Sequence, residues 1–180
     1  MSNIARALSI LVTVLGTSHA ATAQFASFRL DPPQWRLYTS PDRAFTAEFP
    51  CEPTRRNTSA GAPPLYEYDC GTYTGSALLV YMVDVFELGG PAGERTVEET
   101  LSLFPAHKEV VESSRLAVPG GAGRDVVLRN TRDSNDNTRV QIIAVGFRCY
   151  MATVSTTDVQ AMKSPDVQRF FSSFRPLTTQ

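Results

Sequence analysis

The sequence predicts an α+β domain built on an antiparallel β-sheet of about six or seven strands, with helices covering both faces. Three observations lead there. Short alternating or apolar runs recur along the chain, separated by Gly-, Pro- and Asn-rich turns at hairpin spacing. One of them, residues 76–86, is apolar on both sides, with Leu78, Val80 and Met82 on one and Ala77, Leu79, Tyr81, Val83 and Val85 on the other. A strand buried on both faces lies centrally in a covered sheet. Two further segments carry apolar residues at helical spacing behind helix-start chemistry, and these supply the cover.

Residues 1–23 read as a secretory signal peptide. Arg6 precedes an apolar run from Ala7 to Gly16, and small residues at Ser18, Ala20, Ala21 and Ala23 offer cleavage after Ala20 or Ala23. The run is about half the ~20 residues that a spanning helix needs, and no later stretch replaces it. Residues 24–33 form a short extended leader ending in Pro32-Pro33, and residues 34–180 form a single domain. Removing the signal takes away one charge, Arg6, and His19, which leaves His107 as the remaining imidazole.

Within the domain, Phe45, Ala47 and Phe49 alternate with polar neighbours as a half-buried strand that Pro50 stops. Residues 52–64, rich in Arg, Asn, Ser, Gly and Pro, read as a surface loop. Residues 65–73 and 76–86 are the next strands. Thr96 and Glu99 suggest a capping box opening a helix with Val97, Leu101 and Phe104 on one stripe. Pro105 predicts a kink there, or a second helix starting at it and carrying Val110 and Val111. Residues 124–131 alternate as a strand, a turn over 133–137 leads into 138–145, and Gly146-Phe147 supplies a two-residue turn into 148–155. Last comes a helix capped by Ser164, with Pro165 at its first position, Asp166 at its positive end, and Val167, Phe170, Phe171 and Phe174 at i, i+3, i+4 and i+7.

The 180 residues are 42% apolar and 19% charged, with 17 Lys and Arg against 18 Asp and Glu. This balance provides no basic footprint for nucleic acid. In an oxidising compartment the three cysteines Cys51, Cys70 and Cys149 resolve into one disulfide and one thiol. Cys51 follows the first strand and Cys70 lies in the next, so their pairing staples the intervening loop and contributes about 3 kcal/mol. Cys149 alternates within an apolar strand and reads as a buried, inert thiol.

The segment from Trp35 to Pro50, which contains Ser40-Pro41-Asp42-Arg43 and Phe45 to Pro50, resembles secreted PsbP-like proteins, as does Arg169-Phe170-Phe171-Ser172-Ser173-Phe174-Arg175. In that family an opening strand and a closing helix with these patterns frame an α/β/α sandwich. The resemblance covers both ends of the domain and leaves the middle unmatched. It implies binding or assembly rather than catalysis, as in photosystem II extrinsic proteins, DcrB-like lipoproteins and a Ran-binding import factor, although fold does not fix function. Arg43 stands where the pattern often has Gly, and no lipobox is present. Neither a photosystem nor a lipoprotein role therefore carries over.

Reaction chemistry finds little support. The cysteines and His107 lack the close C-x2-C pairing of zinc sites, and no G-x-S-x-G elbow accompanies His107. Asp133, Asn135 and Asn137 mimic calcium-loop positions, but Thr138 and Ala144 stand where Gly and Glu belong. The glycine runs 89–93 and 120–123 match no phosphate loop. Trp35 and Tyr38 read as core rather than a stacking platform, and Asn57-Thr58-Ser59 as a glycosylation acceptor relevant only in a eukaryotic secretory pathway. The reading is a soluble, secreted or periplasmic, non-enzymatic domain, without metal or cofactor, that binds a protein or small ligand through the sheet rim and residues 52–64. Arg55 and Arg56 are its exposed charge pair. The alternatives are a hydrolase-like enzyme using carboxylates or His107, and a structural envelope component.

Overall fold

A computed structural model describes residues 33–57, 65–74 and 76–177. The signal segment, all of the leader but Pro33, and most of the loop expected over 52–64 lie outside them. Among the described residues ten strands form two antiparallel sheets. The large sheet has seven strands: β3 (Thr54–Asn57), β4 (Leu65–Thr74), β5 (Ala77–Glu87), β6 (Lys108–Leu116), β7 (Gly121–Asn130), β8 (Asn137–Val145) and β9 (Arg148–Thr156). Their spatial order is β3-β4-β5-β9-β8-β7-β6. The small sheet sets β2 (Phe45–Phe49) between β1 (Arg36–Thr39) and β10 (Arg175–Pro176). Among the described residues two helices complete the fold, α1 (Glu94–Leu101) and α2 (Pro165–Ser173), with a 3₁₀ turn over Val159–Lys163 before α2.

Strict alternation explains the layering. Odd-numbered residues of β5 (Leu79, Tyr81, Val83, Val85) point to one face of the large sheet, where Tyr68, Cys70, Ile143, Tyr150, Ala152 and Val154 join them. The small sheet and α2 close this core with Phe45, Phe49, Val167, Phe170 and Phe174. The opposite face gathers Phe86, Val126, Leu128, Val140, Ile142, Cys149 and Met151 under Val97 of α1. Central β9 thus meets apolar side chains on both sides, whereas the second face of β5 is buried only at Asp84 and Phe86, with Leu78, Val80 and Met82 half-buried, so the expected two-sided burial of 76–86 is partial. Among the described residues no helix is long and apolar enough to cross a membrane.

The closing helix follows its sequence signals: Ser164 Oγ accepts from Val167 N at 3.3 Å, and Pro165 occupies the first turn. Gly146 takes φ 61° in the turn that pairs Val145 with Arg148, a conformation that suits glycine.

Several expectations need correction. The run 45–49 belongs to a separate sheet, because β1, not recognised in the sequence, pairs with it. Residues 54–57 of the expected loop are a strand, recruited by register with β4. Helix α1 starts before Thr96, with Gly93 as its cap residue; Thr96 Oγ1 instead accepts from Gly93 N at 3.2 Å. The strand placed at 124–131 spans Gly121–Asn130. No second helix follows Pro105. The Pro105 carbonyl accepts from Lys108 N in a turn, and Val110 and Val111 lie in β6, where β-branched side chains fit a pleated strand.

Candidate functional site

The sequence reading placed its binding rim at Arg55 and Arg56. Both lie in β3, an edge strand of the large sheet, but alternation sends them to opposite faces. Arg55 is exposed and lies flat over the Tyr66 ring, 4.4 Å from its centroid. Such a stack fixes a mobile cation at the surface at a cost of few degrees of freedom. Arg56 turns to the other face, where its guanidinium meets Asp69 at 3.2 Å and Glu67 at 3.6 Å. The two arginines are therefore not one charge pair: one is displayed and the other is tied to carboxylates.

Behind this rim sits the disulfide. Cys51, just past β2, and Cys70 in β4 are bonded, with Cα atoms 6.0 Å apart, so the bond joins the small sheet to the large one. Trp35 and Tyr38 pack beside it as core-bordering aromatics: Trp35 meets Tyr81 edge-on at 5.6 Å, and Tyr38 meets Phe49 at 5.9 Å.

Sequence reasoning missed a row of acids on the Arg56 face. Register sets Glu67 opposite Asp84, and Asp69 opposite Met82. All three carboxyls are buried. Burial raises the Asp84 carboxyl well above the ordinary carboxylate range, with Glu67 and Asp69 adding to it. Burial likewise raises Glu67, helped by Asp69 and opposed by Arg56, and raises Asp69 against Arg56. The signal was present in the sequence. Glu67 and Asp69 are two residues apart in a strand, hence on one face, and Asp84 is a lone carboxyl in the doubly apolar run. Among the described residues no three His, Cys, Asp or Glu side chains are placed to hold a metal ion.

The remaining candidates are scattered. His107 lies between α1 and β6, where its backbone carbonyl accepts from Thr131 N at 2.8 Å. Cys149 is 2% exposed under α1, 3.6 Å from Thr100 Oγ1, and burial pushes its thiol up to about 12. The calcium-like run is a turn in which Asn135 N donates to Asp133 Oδ1 and Asn137 Nδ2 donates to the Ser134 carbonyl. Asp136 there pairs with Lys108.

No protein-family model and no curated protein matches the sequence. Two solved structures are similar in chain path, each at 11% identity. A crystal structure from Bacteroides thetaiotaomicron matches with a TM-score of 0.43 over 81% of this chain and 49% of its own. This chain therefore spans about half the length of that protein. The solution structure of cyanobacterial PsbP from Synechocystis matches with a TM-score of 0.49 over 86% of this chain and 99% of that one. Cyanobacterial PsbP carries the family name that the terminal motifs resemble, and at 11% identity the likeness says nothing of activity or partners.

Proposed function

We propose that this chain is a secreted or periplasmic, non-enzymatic domain that binds a protein or a small ligand at the β3 rim and the segment following it. The observation that carries the reading is the rim itself: an edge strand that displays Arg55 on Tyr66 at 4.4 Å, next to the disulfide that anchors it. Edge strands are where sheets accept partners, and an ordered aromatic-backed guanidinium loses little side-chain freedom on binding. The disulfide and the signal-like first segment support the compartment. The non-enzymatic side draws on placement. The Cys149 thiol is sealed and protonated.

Native mass spectrometry of the protein taken from its own compartment tests this reading. Bound mass above that of the chain, reduced in Arg55→Ala, is expected. A bare chain that turns over a hydrolase substrate, with turnover abolished in a folded His107→Ala variant, would overturn it in favour of the enzyme reading.

A further inference from the structure

The acid row has an imbalance that the binding reading does not use. Glu67 stands directly across from Asp84, and Asp84 directly across from Met151 of β9. Directly opposed Cβ atoms are about 5 Å apart, so the two carboxyl groups share one small volume. The Asp84 residue is only 2% exposed there. The groups that face it are few. From β3 comes Arg56, from β4 come Glu67 and Asp69, and from β9 come Met151, the protonated Cys149 thiol and the Thr153 hydroxyl. Arg56 is engaged with Glu67 and Asp69.

A second observation points the same way. Thr153, diagonal to Asp84 across β9, is 4% exposed, and its Oγ1 has no hydrogen-bond partner. An ionised carboxylate within reach of that O–H would attract it about twice as strongly as a neutral carboxyl does. Three buried carboxyls beside one guanidinium cannot all be ionised without a large desolvation penalty, and a shared proton removes much of it.

We propose that the Glu67–Asp84 pair holds a proton in the folded chain at neutral pH, making this face of the sheet a proton-binding site whose release loosens the fold. The proposal stands independently of partner binding. Its sign follows from the direction of the shifts. A carboxyl whose folded value is raised contributes stability that is complete below the ordinary value of 3.8 and is lost as pH rises through the folded value. Each proton kept by the folded chain and not by the unfolded one raises the unfolding constant by up to about tenfold per pH unit.

The test is urea unfolding of the full chain from about pH 5 to pH 9, wild type beside Asp84→Asn, which keeps the shape without the charge. The wild type is expected to lose stability as pH rises, and Asp84→Asn to be flatter and to match or exceed it at the alkaline end. Parallel pH curves for the two proteins would overturn the proposal. Should Asp84→Asn fail to fold, carbon-detected NMR of the wild-type side-chain carboxyls decides. A Glu67 or Asp84 midpoint above about pH 7 supports the shared proton, and midpoints for Glu67, Asp69 and Asp84 that all lie below it overturn it.

Discussion

Arg43 is the one described residue other than glycine with a left-handed backbone, at φ 53°. The turn between β1 and β2 imposes it: Arg43 N donates to the Ser40 carbonyl at 2.8 Å, while Ser40 Oγ accepts from Ala44 N at 2.8 Å and Phe45 N at 3.2 Å. The same position is where the resembling family pattern often has Gly, and the structure supplies the reason. A left-handed L-residue costs about 1–2 kcal/mol, and glycine returns up to about 1 kcal/mol of that as chain entropy. Arg43→Gly is therefore expected to stabilise the fold by roughly 0.5–1 kcal/mol in urea unfolding, and Arg43→Ala to give no gain. Gly121 illustrates the opposite case. A Cβ there would fall on the Ala144 carbonyl oxygen, a contact with backbone that cannot move aside. Gly121→Ala is expected to lower Tm, by an amount corresponding to about 1–3 kcal/mol.

At the scale of elements, legibility depended on how many local signals agreed. Helix α2 combines a capping Ser164, Pro165, and Val167, Phe170 and Phe171 facing the core, and all of them are realised. Ser164→Ala removes the bond to Val167 N and is expected to cost about 1 kcal/mol, measurable as a lower urea midpoint. The 138–155 hairpin was equally legible, because Gly146 fixes the turn and alternation fixes the register. Strand β6 was not, since Pro105 suggested a helix boundary and Glu109 to Arg115 are all exposed, leaving no buried face to set a period. Strand β1 failed for a related reason: only four residues long and mostly exposed, it is defined by its pairing with β2. At the rim, Arg55 and Arg56 were found by charge, but a loop reading concealed the alternation that separates them. The acid row depends on pairing between β4 and β5, which no local pattern states.

For the whole molecule, the Cys51–Cys70 bond and a set of aromatic contacts join the two sheets, among them Phe45 and Tyr38 of the small sheet against Tyr68 of the large one at 5.0 and 6.0 Å. Phe170 meets Phe49 of the small sheet and Tyr81 of the large one, both at 5.3 Å. Phe170→Ala opens a cavity between the layers and is expected to cost about 3–5 kcal/mol, read as loss of unfolding free energy. The Cys51–Cys70 bond holds the same two layers together on the rim side, and Cys149 is sealed beneath α1. The anchored rim and its proposed partner are both read by the intact mass of the chain purified from its own compartment, native and denatured, with thiols alkylated without reduction. One alkylated thiol, Cys149, is expected on denaturation, together with native mass above that of the chain. A bare native chain that takes up three alkyl groups would contradict both the staple and the bound partner.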